Sequence, residues 1–473
     1  MAEALRGYWA GVSQSSDAGF KKPPRDNEAW AVLLDHIKPM ISTDTAAILG
    51  APISVAELAE QVDENGVVID IGILRRLKHG KSGGADGWNY EFIQLLWPII
   101  GQLTVDSWNE ACVKGGRMPG GGNLGLIHLL YKPSKNPNVR ADPSWPENYR
   151  PISLLNCDGK LLARVLVRRL LRVIGVLIHS DQTGFIPGRS IEANIRIQHD
   201  VTHFFEQLDA KEFEEGGKYA GGAGRLDYDF EKAYDRVDID FLIAACEKMG
   251  LGKEFSAWIC VFYKDAMAAV VVNGLVGRPY RLGFGVRQGD PLSPLLFDIV
   301  METLAILVRR SPHLTSMVLP AGPGWAARPL RIILFADDFN HFFVGKQSIA
   351  EFRKILFWFK RTSNLQTKPL SEVGLWWGPA LDELTRGRTR WLEGTEFDGK
   401  SEGADGWSYE FIQLLWPIIG QLTVDSWNEA CVKGGRMPGV DIWGWFTCCT
   451  SRPKIPTSVQ TRRGRKVIGP SAS

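Results

Sequence analysis

Ile332-Ile333-Leu334-Phe335-Ala336-Asp337-Asp338-Phe339-Asn340-His341-Phe342-Phe343 is the stretch from which the chain is read. Apolar residues flank an Asp-Asp pair on both sides. The spacing predicts two strands, 331–336 and 339–344, around a two-residue turn. Asp tolerates turn geometry, so the pair alone reads first as a plain turn. A metal site would need another carboxylate from elsewhere in the chain.

Leu226-Asp227-Tyr228-Asp229-Phe230-Glu231-Lys232-Ala233-Tyr234-Asp235-Arg236-Val237 offers one. A strand over 224–229 would end at Asp229, and a strand end is rigid enough to aim a carboxylate at an acidic turn. Hard oxygen donors suit Mg²⁺. Two such ions about 3.5–4 Å apart can activate a hydroxyl and stabilise a leaving pyrophosphate. Taken alone, this segment is also ambiguous.

Working outward, periodicity predicts helices over 28–40, 158–178, 190–208, 238–250, 254–264, 291–309 (begun by Pro291) and 348–362. A hairpin is expected from 268–273 and 278–284. Ser54 and Glu57 have the spacing of a capping box opening a helix. The mixed order argues for an α+β domain with an antiparallel sheet packed on helices.

With the intervening residues included, the two acidic segments resemble a known family. DFEKAYDRVD, at 229–238, is similar to the first palm motif of LINE-type (non-LTR retrotransposon) reverse transcriptases. Gly285-Val286-Arg287-Gln288-Gly289-Asp290-Pro291-Leu292-Ser293-Pro294-Leu295-Leu296-Phe297 resembles the second, and Phe335-Ala336-Asp337-Asp338 the third. Asn148–Asn156 and Gln182–Arg189 resemble finger motifs. Lys81–Gly87 resembles the family's Lys-x-Pro-Gly-x-Asp-Gly segment without its Pro. The similarity spans about residues 50–375.

The resemblance implies a right-hand polymerase palm with fingers, with the thumb truncated or absent. It implies an RNA-directed DNA polymerase acting on an RNA template, a DNA primer and dNTPs, with two Mg²⁺ ions or Mn²⁺ in their place. Asp229, Asp337 and Asp338 would be the catalytic acids and metal ligands. Phe230, Tyr234, Gln288, Gly289, Arg150 and Arg189 would meet the nucleotide. Tyr234 would exclude a 2′-hydroxyl, which disfavours a ribonucleotide-using enzyme. Gly289 would admit close approach, and the two guanidinium groups would fork onto phosphate, although ordinary ion pairs are an equal reading. Asp227 stands where the family often has Lys. After the hairpin the family continues Ser-Gly-Leu, then Asn and Lys, whereas here Lys368 follows Ser363-Asn364-Leu365-Gln366-Thr367. That departure supports a second reading, a catalytically silent relic that only binds nucleic acid.

Residues 80–120 recur at 399–439, with Gly83 replaced by Glu402 and Asn89 by Ser408. Two copies do not make a solenoid. The expected organisation is an ill-defined 1–50, a helical extension over 51–145, fingers and palm over 146–375, the duplicate, and a disordered tail over 440–473. The net charge of +2 says little about nucleic acid. Arg164, Arg168, Arg169 and Arg172 read as a solvated face or as phosphate contacts; Arg462–Lys466 reads as a tail or a nuclear address. Seven scattered cysteines without CxxC suit a reducing compartment. No signal peptide or membrane span is evident, so a nuclear or cytoplasmic protein is expected. Gly394–Ser401 imitates a phosphate loop without its strand and helix. His199 and His203 imitate a zinc helix but read as a solvated face.

Overall fold

The computed structural model describes residues 2–14, 16, 19, 22, 24–62, 68–70, 72–132, 145–319, 327–368, 373–378 and 390–393. They lie in one compact unit, Met1–Gly394. A second unit, Thr395–Ser473, holds the near-copy 399–439 and the tail 440–473, and falls outside the described residues, as does the phosphate-loop-like stretch 394–401.

The N-terminal region is helical from the start. It comprises α1 (Ala2–Val12), α2 (Asn27–Leu34) and α3 (Thr43–Gly50). Asp26 caps α2 by accepting from the Ala29 N–H at 3.1 Å, and Ser42 caps α3 through the Thr45 N–H at 3.2 Å. Ser54 and Glu57 do form a capping box, but they enclose only one 3₁₀ turn, Val55–Glu57. A small ribbon of β1 (Gln61–Val62) and β2 (Val68–Asp70) leads to α4 (Gly72–Arg75) and the long α5 (Tyr90–Val113), capped by Asn89.

Then follow β3 (Leu124–Tyr131), β4 (Tyr149–Leu154), α6 (Cys157–Leu170), α7 (Ile174–Leu177), α8 (Ile191–Glu206), β5 (Ala223–Tyr228), α9 (Ala233–Arg236), α10 (Ile239–Met249) and α11 (Gly252–Tyr263). The helix expected over 158–178 is thus two, with turns between them and no breaker residue in the sequence to announce it. The chain continues through β6 (Met267–Val272), β7 (Leu275–Val276), β8 (Tyr280–Arg281) and α12 (Ser293–Arg310). The predicted start at Pro291 moves to Ser293, with Pro294 in the first helical turn. Next come β9 (Met317–Leu319), β10 (Arg328–Leu330), β11 (Ile332–Phe335), β12 (Asp338–Val344), α13 (Lys346–Ser363), β13 (Val373–Trp377) and β14 (Arg390–Glu393).

Two five-stranded sheets organise these elements. The first runs β11-β12-β5-β13-β14, antiparallel except for β13 with β14. The second runs β4-β3-β6-β7, with β8 also on β6. Its β3 and β6 are parallel, so the purely antiparallel expectation needs correction. The long helical connection from β3 to β6 makes parallel pairing possible. α12 is buried on nearly every side, as a helix at the centre of a core must be, and α10 and α13 pack against it. α1 covers the second sheet, where Trp9 and Ala10 join Ile127, Ala268, Val270 and Tyr280.

The arginine row on α6 does something neither sequence reading foresaw. Arg169 is buried; its guanidinium donates to both Glu57 carboxylate oxygens at 2.7 and 2.9 Å, and to the carbonyls of Leu49, Ala51 and Pro52. Arg168 donates to the Glu57 carbonyl, and Arg164 lies over the Tyr90 ring. These three staple the N-terminal region to α6, leaving Arg172 exposed.

Candidate active site

The first sheet builds the site through its register. β11 and β12 pair Phe335 with Asp338, and β12 pairs Phe339 with Tyr228 on β5. Asp338 directly precedes Phe339 and Asp229 directly follows Tyr228, so both acids lie at the end of that ladder. The turn is Ala336-Asp337, one residue earlier than the even division of the sequence suggested, so Asp338 belongs to the strand. Ala336 has φ +55°, a positive value at the first turn position only, as in a II′ turn.

Strand alternation separates core from site. Leu226, Tyr228 and Phe230 are buried, and Tyr228 stacks on Phe339 with centroids 5.0 Å apart. The Phe230 ring packs between Phe339 and Phe359, so only its backbone faces the site region. Arg225, Asp227 and Asp229 share the opposite face. Asp227 is neutralised by Arg225, whose guanidinium forks onto it at 2.8 and 3.0 Å, and Asn340 Nδ2 donates to it at 2.6 Å. The unusual acid at 227 is thereby accommodated.

Past β5, residues 366–368 run alongside 229–231. The Glu231 N–H donates to the Gln366 carbonyl, Phe230 bridges Thr367, and the Lys368 N–H donates to the Asp229 carbonyl at 2.9 Å. The Lys368 ammonium forms an ion pair with the Asp229 carboxylate. Despite the altered spacing of the sequence here, a lysine reaches the acidic cluster.

Partial burial pushes the Asp337 carboxyl up, and the Asp229 carboxylate adds to the effect; Lys368 and Arg150 oppose it. Tyr234 stacks on Phe297 at 4.8 Å, and its hydroxyl is held above the ordinary range by burial, then by Asp337 and Asp298. Burial lifts Asp235 to about 7 against the pull of Lys232, Lys132 and Arg236. Burial lowers Lys132 to about 8, helped by Lys232, Arg150 and Lys368. Five cations, Lys132, Arg150, Lys232, Arg236 and Lys368, and four acids, Asp229, Asp235, Asp298 and Asp337, therefore belong to one electrostatically linked set.

The loop of the second motif is sewn in place. The Val286 N–H donates to the Tyr234 carbonyl at 2.7 Å, and the Ser153 N–H to the Gln288 carbonyl at 2.8 Å. Gln288 Nε2 donates to Asp235 at 3.4 Å. Gly289 has φ +105°, and a Cβ there would lie 2.6 Å from the Ser153 carbonyl oxygen, so both conformation and space demand glycine. Arg150, on β4, is exposed. Arg189 is committed elsewhere: it donates to the carbonyls of Ile178, His179 and Gln182 at 2.6–2.9 Å. Its guanidinium thereby fixes the turn that follows α7. His199 and His203 stack on α8, with His203 exposed.

Among the described residues, no three His, Cys, Asp or Glu side chains are already gathered for a metal ion. The donor chemistry nonetheless fits a hard divalent cation: the carboxylates of Asp229 and Asp337 repel, and a cation would relieve the repulsion. Asp229 would have to exchange its Lys368 partner for it. Sequence reasoning missed Gln182 and Lys132. Gln182 sits in a quoted motif but was given no role, and Lys132 lies in none of the quoted motifs.

No described helix is long and apolar enough to cross a membrane. Residues 132–370 match the family described as "Reverse transcriptase (RNA-dependent DNA polymerase)". The chain is 30% identical over 321 residues to the "Transposon TX1 uncharacterized 149 kDa protein" of Xenopus laevis, covering 67% of this chain and 22% of that one. It is 28% identical to a "Retrovirus-related Pol polyprotein from type-1 retrotransposable element R2" of Nasonia vitripennis, covering 50% of this chain and 21% of the relative. It is also 28% identical to the "Probable RNA-directed DNA polymerase from transposon BS" of Drosophila melanogaster, covering 58% and 28%. The chain thus spans between 21% and 28% of the length of these relatives. With the family match extending from the second sheet to the end of the acidic cluster, the chain belongs to the reverse transcriptases, in their LINE-type, non-LTR retrotransposon branch.

Proposed function

We propose that this chain is an RNA-templated DNA polymerase that extends a DNA primer 3′-hydroxyl with dNTPs. What supports the reading is the coupling of Asp229 to Asp337 at the end of the β12–β5 ladder, with Lys368 and Arg150 acting on the same carboxyl. Asp229, Asp337 and Asp338 would hold two Mg²⁺ ions, or Mn²⁺. When bound, such ions lower the pKa of the attacking hydroxyl and neutralise charge on the phosphates.

The chain's own side chains have separate tasks. Arg150 and Lys132 attract the triphosphate, and Lys368 adds a cation close to the acids. Tyr234 fills the space under the sugar and selects against a 2′-hydroxyl. Gln288, held by Asp235, lies where the base pair would pass. In this reading the second sheet belongs to the fingers, and the protein acts inside the cell, in nucleus or cytoplasm.

The silent-relic reading has one observation in its favour, the Lys368 ion pair already placed on Asp229. Purified protein, primed RNA and labelled dNTPs with Mg²⁺ or Mn²⁺ separate the two. Extension by the wild type and none by Asp337→Asn is expected; an equal signal in both removes the enzymatic reading. No extension together with salt-sensitive RNA binding would establish the relic.

A further inference from the structure

The turn that carries Asp337 is gripped by a side chain from another part of the fold. Gln182 is 1% exposed. Its Oε1 accepts from the Ala336 N–H at 3.0 Å, and its Nε2 donates to the Ala336 carbonyl at 3.4 Å. One primary amide therefore engages both backbone groups of Ala336, the residue held at φ +55°. The same Oε1 accepts from the Gly184 N–H at 2.9 Å, which fixes the amide in its own loop.

The loop is itself fixed to β11. Gln182 forms a parallel bridge with Leu334; the Leu334 N–H donates to the Asp181 carbonyl at 2.8 Å, and the Thr183 N–H to the Leu334 carbonyl at 3.0 Å. Arg189 holds the Gln182 carbonyl from behind at 2.8 Å. Gly184 lies so close that a Cβ would come within 2.5 Å of the Ala336 nitrogen.

We infer that Gln182 is a positioning residue: its amide sets the peptide plane between Ala336 and Asp337, and so aims the Asp337 carboxylate. The inference rests on the polymerase reading for its effect on catalysis. The chemistry needs an acceptor and a donor on one planar group of this length. Glutamine provides both; glutamate lacks the donor and sets a second negative charge beside Asp337; methionine fills the space with neither.

The full chain carrying Gln182→Met, and separately Gln182→Glu, tests this. In whichever variant keeps the wild-type far-UV spectrum, kcat for primer extension should fall about tenfold or more, because small misplacements of a reacting group are costly. KM for dNTP and Kd for primed RNA should stay within about twofold, since Gln182 faces the turn and not the ligands. Hydrogen exchange at 335–338 should accelerate while β5 stays protected. Unchanged kcat, or a loss confined to KM, would overturn the inference, and so would unchanged exchange at the turn. If the wild type itself extends no primer, the polymerase reading fails and exchange alone decides whether Gln182 holds the turn.

Discussion

Around Asp229 and Asp337, single side chains divide the work by distance and charge. Lys368 and Arg150 lower the cost of keeping two carboxylates close together, and Tyr234 closes the space beside Asp337 with an aromatic wall braced by Phe297. If that wall selects the sugar, Tyr234→Val should admit ribonucleotides. The preference for dNTP over rNTP, measured as a ratio of kcat/KM values, should drop by roughly tenfold or more. An unchanged ratio would assign Tyr234 to packing alone. The acidic strand end and the acidic turn were legible in the sequence, but only the family resemblance assigns Asp229, Asp337 and Asp338 to one site, since each segment alone is ambiguous. Phe230 and Arg189 were legible as motif members, while their packing partners were not. The Phe230 ring enters the core, and the Arg189 guanidinium donates to three backbone carbonyls.

At the scale of elements, α6 and α12 carry the strongest consequences. Arg169 on α6 satisfies Glu57 and three carbonyls that would otherwise lose their partner, so Arg169→Met should destabilise the protein by roughly 3 kcal/mol, read from urea unfolding. A loss below about 0.5 kcal/mol would mean that the staple is ornamental. On α12, Asp298 is fully buried, neither carboxyl oxygen has a hydrogen-bond partner among the described residues, and Glu302 lies one turn away. Burial first, and Glu302 second, push its pKa well above the ordinary value of 3.8. A raised carboxyl binds its proton more tightly when folded. Its contribution is complete below that ordinary value and is lost as pH rises through the folded one. Asp298→Asn should therefore raise the urea midpoint at pH 8 more than at pH 5, with a gain of about 1–3 kcal/mol at the higher pH. Equal shifts at the two pH values would contradict a protonated Asp298. His341, on β12, works in the opposite sense: burial lowers it to about 3, so the stability of its neutral form fades as pH falls below the ordinary 6.5.

For the molecule as a whole, a net charge of +2 hides a local concentration of cations at the end of the first sheet. Every proposed site residue lies before position 369, inside the compact unit Met1–Gly394. A chain ending at 394 should thus extend primed RNA with the full-length KM for dNTP; loss of extension would show that the near-copy 399–439 or its tail takes part. From the order of residues alone came the acidic strand end, the acidic turn, most of the helices and the family, because these depend on local periodicity and on motifs contiguous in the chain. The tertiary structure alone decided what faces what: Lys368 on Asp229, Gln182 on Ala336, Arg169 on Glu57, and the parallel pairing of β3 with β6. An arginine at helical spacing looks the same in sequence whether it meets water, phosphate or a buried carbonyl. Its partner is chosen only when distant elements pack, since a buried polar group must take whichever partner the fold brings within reach.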